Sequence, residues 1–154
     1  MSVFVLALLI GVVAGLRAMT APAAVSWAAH LGWLPLQDTP LAFLGFTATP
    51  YVFTVLAIVE LITDQLPKTP SRTVPMQFGA RLVLGGLSGA AIGAAHGAVG
   101  NGLIAGLIGV VIGTVGGARV RGVMARAFGR DQPAALIEDA VAIVGAALIV
   151  MALR

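Results

Sequence analysis

Two carboxylates lie inside an otherwise apolar stretch of this chain, and they limit what it can fold into. Residues 57–81 read AIVELITDQLPKTPSRTVPMQFGAR, with Glu60 and Asp64 ahead of a basic, proline-containing loop. On a helix, Glu60, Thr63 and Asp64 share one face. Ionisable groups in a membrane-spanning helix must face a bundle interior, a wet cavity or an opposite charge. The stretch is therefore the first candidate site, and a structural role, in which the acids pair with Arg81 or cap the loop, stays open.

The composition indicates an integral membrane protein. Of 154 residues, 59% are hydrophobic and 10% are charged, and the mean hydropathy is +1.03. A soluble domain of this size could not keep that much apolar surface from water. The absence of cysteine excludes disulfide frameworks, thiolate metal sites and cysteine nucleophiles. The formal charge of +3 bears on membrane orientation and anionic lipid before nucleic acid.

The apolar segments predict an all-α integral membrane protein with one domain, residues 1–154. We expect a compact bundle of about five transmembrane helices, with four possible. Their approximate bounds are 3–17, 51–66, 81–95, 102–120 and 136–153. Pro22 is expected to interrupt the first helix, and residues 22–49, with Trp27 and Trp33, are interpreted as a re-entrant or interfacial connection.

Glycines recur every four residues along the third and fourth predicted helices. They form two sets: Gly85, Gly89, Gly93 and Gly97, and then Gly109, Gly113 and Gly117. Each set falls on one stripe, and stripes of small residues let helix backbones approach closely in lipid. The pattern predicts close packing within one chain or across a homo-oligomer, of which a dimer is favoured.

A basic, amphipathic extension follows the fourth helix. Arg119, Arg126 and Arg130 share one face, and Arg121 borders the neighbouring apolar face. Such a segment suits the headgroup layer, where each basic residue contributes about 1 kcal/mol of attraction to anionic lipid. We predict that Arg121, Arg126 and Arg130 bind anionic lipid at the cytoplasmic face of the bilayer, and we expect no nucleic-acid partner.

The basic residues also predict orientation. Lys68, Arg72 and Arg81 flank one connection, and the arginines of the extension flank another on the same predicted side. Because cytoplasmic connections are enriched in Lys and Arg, segments 65–80 and 121–132 are expected inside. Five spans then place the N-terminus in the cytoplasm, and Arg17, segment 30–49 and the C-terminus on the outer side. The expected location is the bacterial inner membrane.

An internal repeat is a further hypothesis. Residues 11–17 and 113–119 both match G-x-V-x-G-x-R, and an acid follows each copy in the next predicted helix, Glu60 or Glu138. Three predicted crossings separate the copies, so they would run in opposite directions. Inverted repeats with a binding site near the midplane are a recurrent transporter plan.

Four motifs carry a resemblance to known proteins: GLRAMTAP, ELITDQLPKTPSRT, GAR and EDA. Together they resemble a family of small bacterial integral membrane proteins catalogued only as a domain of unknown function. The resemblance covers most of the chain and implies an all-helical membrane domain. It implies no activity.

Two functional hypotheses therefore rest on the residues. The first is a small transporter or channel for an ion or small solute. Its predicted pathway comprises Glu60, Thr63, Asp64, Arg17, Arg81, Arg119, Glu138 and Asp139. The alternative is a membrane scaffold, or a lipid- or partner-binding protein, in which these charges form structural ion pairs and the acids of the last helix complement its dipole. No catalytic motif is present, and no cofactor or metal is predicted.

Overall fold

The computed structural model describes residues 1–66 and 71–154, and this part of the chain is all-helical. Its six α-helices are α1 (Val3–Leu16), α2 (Thr20–His30), α3 (Ala48–Thr63), α4 (Pro75–Ala94), α5 (Val99–Phe128) and α6 (Asp131–Met151). A short 3-10 helix, Ala42–Gly45, lies between α2 and α3. The all-helical prediction is confirmed. Lys68, which contributed to the predicted orientation, lies outside the described residues.

Within the described chain, α5 and α6 are the two helices long and apolar enough to cross a membrane. The apolar helices α1 and α3 have 14 and 16 residues. At 1.5 Å per residue they extend about 21 and 24 Å, less than the hydrocarbon thickness of about 30 Å. Two candidate spans support association with a membrane; the predicted count of five spans is not shown, and a multi-pass bundle remains a proposal.

Residues 22–49 contain a buried helix, which the sequence interpretation did not include. Helix α2 begins at Thr20, so Pro22 lies in its first turn, where its missing N–H breaks no helical hydrogen bond. Ala21, Val25 and Ala28 on this helix are fully buried. The expectation that Pro22 ends the first helix is wrong, because the break comes earlier, at residues 17–19.

Helices α1 and α5 run in the same direction. Gly11 meets the backbone of Gly106, and Gly15 meets Val110, so an advance of four residues on α1 matches four on α5. The two copies of the proposed repeat, 11–17 and 113–119, are therefore parallel, and the inverted repeat is wrong. Helix α2 explains the difference, because it adds a reversal of the chain between the copies.

Arg17 lies at the same end of the bundle as the basic connections. It contacts Asp64 and Asp139, whereas the prediction placed it on the opposite side. We call this end, formed by residues 17–20, 60–66, 71–75 and 118–132, the basic end. Arg154 stacks on Trp33 at the other end, with 5.0 Å between the guanidinium carbon and the ring centroid. Six alternating helices place both termini there, instead of on opposite sides as five spans required.

Helix α5 meets both α1 and α4 at backbone contact. A Cβ added to Gly89 would lie 2.8 Å from the Cα of Gly106, and one added to Gly113 would lie 3.0 Å from the Cα of Val12. We call this surface the glycine seam; its members are Gly11, Gly15, Gly85, Gly89, Gly93, Gly102, Gly106, Gly109 and Gly113. All of these contacts are within one chain.

Two glycines of the predicted stripes lie outside the seam. Helix α4 ends at Ala94, so Gly97 is in the turn before α5, with a φ of 70° that glycine adopts without strain. An added Cβ at Gly97 would meet nothing within 4 Å. Gly117 faces the side chains of Leu16 and Arg72 and not a helix backbone. The predicted packing role is therefore wrong for Gly97, while Gly117 makes room for a guanidinium.

Candidate functional site: a buried ion-pair cluster below a cavity

The centre of the basic end is Arg17, whose side chain is fully buried. It lies at the end of α1 in an extended conformation, with φ −139° and ψ 111°. Its guanidinium lies 2.9 Å from Asp64, 2.9 Å from Glu138 and 2.5 Å from Asp139. Asp64 follows α3, and the other two acids belong to α6. One arginine therefore links three helices through buried ion pairs.

Glu138 is shared between arginines. Nη2 of Arg72 donates to its two carboxylate oxygens at 2.7 and 2.9 Å, and Nη1 of Arg121 lies 3.9 Å away. Arg121 in turn forms a two-pronged pair with Asp131 through Nε, at 2.9 Å, and Nη2, at 2.5 Å. Arg121, which was predicted to bind lipid, thus pairs with Asp131 in the wall of the adjacent cavity.

Glu60 does not form an ion pair with an arginine within the described chain. Its two oxygens accept hydrogen bonds from the backbone N–H groups of Ala18 and Met19, both at 2.8 Å. These amides immediately precede α2, where backbone donors lack helical partners and negative charge is favourable. Glu60 therefore stabilises the break between α1 and α2. The structural alternative proposed a pair with Arg81, and the structure does not show one among the described residues.

Arg81 is buried on α4, with 3% of its surface exposed. Its Nη1 donates to the backbone carbonyl groups of Gly15, at 3.1 Å, and Ala14, at 3.4 Å. These carbonyls belong to the last turn of α1, which has no helical donors for them. Among the described residues, no carboxylate lies within ion-pair distance of Arg81.

The remaining predicted pathway residues are not part of the cluster. Thr63 is exposed, and its hydroxyl donates to the Glu60 carbonyl at 3.1 Å. Arg119 is exposed as well, although its counterpart in the predicted repeat, Arg17, is buried. The three residues predicted to act together thus have different environments: Glu60 binds backbone amides, Thr63 lies at the surface, and Asp64 pairs with Arg17.

An open cavity of about 570 Å³ lies against the cluster. Its polar wall includes Arg72, Arg81, Arg121, Asp64, Asp131 and Gln65. A second cavity, of about 230 Å³, lies beside His30 at the other end of the bundle. The two cavities share no lining residue, so they are separate. The larger cavity touches the ion pairs around Arg17 through Asp64, which is one of its lining residues.

Two members of the site were missed in the sequence, Arg72 as a carboxylate ligand and Gln65. The Gln65 amide donates to Asp139 at 3.0 Å. Both residues flank a proline-containing loop, where no helical periodicity shows which way a side chain points. Within the part of the chain that the structure describes, no group of three or more His, Asp or Glu side chains is arranged to hold a metal ion.

Comparison with known proteins finds no matching family model, no similar curated protein and no similar solved structure. The function is therefore inferred from the residues and their geometry.

Proposed function

We propose that this protein is a small multi-pass membrane transporter that admits a small charged solute to the cavity at the basic end. The observation that carries this proposal is a charged cavity of about 570 Å³ in a chain that is otherwise strongly apolar. Concave sites with a few convergent polar groups are the usual binding sites for small molecules. A cavity open at one end and closed at depth by ion pairs has the form of a transporter in one of its access states.

The ion pairs supply the gate in this proposal. Arg17 can lose Asp64 and still keep Glu138 and Asp139, so its ion pair with the end of α3 can open while its pairs with α6 remain. Glu60 of α3 would keep its hydrogen bonds to the amides of Ala18 and Met19. Helix α3 is the element best suited to move, because only Pro50 and Ala57 on it are buried. Movement of its end would change the cavity wall, to which Asp64 and Gln65 belong.

The proposed orientation places the basic end in the cytoplasm of a bacterial cell, with six helices in the inner membrane. The positive-inside rule supports this choice, because the basic connections lie together at that end. It places both termini outside, which reverses the orientation predicted for the N-terminus. Apolar side chains such as Ile62 and Leu148, 61% and 58% exposed, then contact lipid. Exposed Arg126 and Arg130 then lie near anionic headgroups.

A homodimer remains part of the proposal without support from the glycines. The seam is occupied within one chain, so it does not provide a contact between two chains.

A non-transporting scaffold is the second candidate, and the saturation of Glu60 favours it. Both oxygens of this carboxylate are held by backbone amides, so Glu60 has a structural task and little freedom to exchange a proton or ion. The transport proposal therefore relies on Asp64, which is paired with Arg17 and also lines the cavity.

Proteoliposomes loaded with a pH-sensitive dye separate the two candidates. Under an imposed pH gradient and membrane potential, with and without sodium, we expect wild-type protein to conduct protons faster than empty liposomes. Asp64→Asn should fold, since Arg17 keeps two carboxylates, and should lose most of the flux. Asp38→Asn, an exposed aspartate at the other end, is the matched control and should keep it. Wild-type proton flux equal to that of empty liposomes would contradict proton-coupled transport through Asp64 and favour the scaffold.

Orientation is tested by labelling single cysteines in this cysteine-free chain. We expect Ser71→Cys to react only from the cytoplasm and Ser2→Cys only from outside. Labelling of Ser71→Cys from outside would overturn the assignment of the basic end.

A further inference from the structure

We infer that the cavity at the basic end binds a phosphate-type oxyanion, with Arg81 and Arg72 as its main ligands. The inference rests on the proposed function, since it names the class of solute for the same cavity.

Arg81 is the cluster arginine that has no carboxylate within ion-pair distance among the described residues, although Glu60 attracts it electrostatically from farther away. Every acid around it is already engaged: Asp64, Glu138 and Asp139 with Arg17, Asp131 with Arg121, and Glu60 with two amides. In the described chain Arg81 contacts only carbonyl oxygens, and its Nε has no hydrogen-bond partner. A buried N–H donor without a partner is costly, and an anion that accepts a hydrogen bond from it would reduce that cost.

Arg72 provides a second unsatisfied donor at the same cavity. Its Nη2 is held by Glu138, but its Nη1 has no partner among the described residues. Arg72 and Arg81 are 8% and 3% exposed, and both line the cavity. Because the two unpartnered nitrogens are themselves buried, binding requires the guanidinium groups to turn towards the cavity. A ligand that accepts hydrogen bonds from both would satisfy two donors at once.

The charge of the cavity wall also favours an anion. The wall carries three arginines, Arg72, Arg81 and Arg121, and two aspartates, Asp64 and Asp131. Each aspartate is paired with an arginine: Asp131 with Arg121, and Asp64 with Arg17, which also pairs with Glu138 and Asp139. Helix α6 begins at Asp131 in the wall, so the positive end of its dipole faces the same space.

A tetrahedral oxyanion fits this arrangement better than a planar carboxylate. Guanidinium groups bind phosphate through paired N–H donors, and oxygens directed to several sides can meet arginines from different elements. The cavity, at about 570 Å³, is larger than a phosphate group and leaves room for a group esterified to it. Inorganic phosphate and the phosphate of a lipid headgroup share this chemistry.

Binding is measured on the full-length protein in two arms. In the first, inorganic phosphate is titrated into detergent-purified protein and followed by calorimetry and by ³¹P line broadening, with nitrate at equal ionic strength as the reference. In the second, nanodiscs of phosphatidylglycerol or of phosphatidylcholine are compared by native mass spectrometry for retained lipid. Arg81→Gln is the test variant, Arg81→Lys keeps the charge, and Arg154→Gln, at the other end, is the control.

We expect saturable binding in at least one arm, weakened at least tenfold in Arg81→Gln, partly restored in Arg81→Lys and unchanged in Arg154→Gln. Binding in the first arm identifies a free phosphate, and retention of phosphatidylglycerol alone identifies a headgroup. If Arg81→Gln does not fold, phosphate binding to the wild-type protein, measured by ³¹P line broadening, still tests the inference. No saturable binding in either arm, or equal affinity in Arg81→Gln, would overturn the inference. Proton flux that still depends on Asp64 would then leave the transport proposal standing.

Discussion

The glycine seam and the ion-pair cluster hold the same bundle in different ways. In the seam, α5 meets α1 and α4 backbone to backbone, and these contacts depend on shape. In the cluster, α1, α3 and α6 are joined by long charged side chains around Arg17. Shape contacts have one arrangement, whereas ion pairs can exchange partners. The seam is therefore expected to be the rigid frame and the cluster the part that changes.

Helix α1 belongs to both regions, and this determines which element can move. Its Gly15 is packed against α5, two residues before Arg17 enters the cluster. Arg17 is thus fixed at its backbone while its partners come from other helices. A rearrangement of the cluster must move those partners, and α3, with few buried residues, is the least restrained.

The largest expected effect comes from removing the centre of the cluster. Arg17→Gln leaves three carboxylates without their shared cation, and breaking a buried ion pair in this way typically costs about 3–5 kcal/mol. We expect little folded protein, or a large drop in the temperature of unfolding in detergent, followed by the fluorescence of Trp27 and Trp33. Arg119→Gln, at the exposed counterpart position, should unfold like the wild type. Equal stability of both variants would show that the cluster is not structural.

Overpacking the seam should have the next largest effect. Gly89→Leu inserts a branched side chain where the nearest atoms are backbone atoms of Gly102 and Gly106, which cannot move aside. Overpacking of this kind costs about 1–3 kcal/mol. Gly116→Leu is the control, because a Cβ there meets nothing within 4 Å. If both variants elute and melt as the wild type does, helices α4 and α5 do not pack as described.

A smaller effect is expected at the junction between the two regions. Glu60→Gln keeps one acceptor oxygen for the amides of Ala18 and Met19 but turns an NH₂ group towards the other. Losing one such hydrogen bond costs about 1–2 kcal/mol. Because Arg81 is not an ion-pair partner of Glu60, adding Arg81→Gln should not restore the stability. A double variant as stable as the wild type would instead show that the two side chains are a pair.

The sequence predicted which residues belong to the two regions better than it predicted which groups those residues contact. Acids in apolar segments, such as Glu60, Asp64 and Glu138, are recognisable in the sequence because a charge among apolar residues is costly unless another group compensates it. Which group satisfies each acid depends on how helices are arranged in space, and helical periodicity gives only the face. Pairing with Arg81 was one alternative for Glu60, but its carboxylate binds amides exposed by a helix break that no residue pattern marked.

The arrangement of the helices was misread for one local reason. Pro22 was interpreted as the end of a helix, and a proline in the first turn of a new helix has the same local pattern. Missing α2 changed the number of chain reversals, and with it the end of the bundle assigned to Arg17 and the direction of the repeat; in the proposed orientation it also changes the side of the N-terminus. The glycine spacing was less sensitive to this error, because it depends on α4 and α5 alone.

The smallest expected effect is at the rim of the cluster. Arg121 and Asp131 form a pair with good geometry, but the side chain of Asp131 is 59% exposed, so water and salt screen it. Exposed pairs contribute about 0–1 kcal/mol, and we expect Arg121→Gln to lower the unfolding temperature by at most a few degrees. The difference from wild type should shrink further at high salt, because screening weakens an exposed pair more than a buried one. A loss as large as that of Arg17→Gln, unaffected by salt, would mean that Arg121 is part of the buried network through Glu138 and that the cluster extends to the surface.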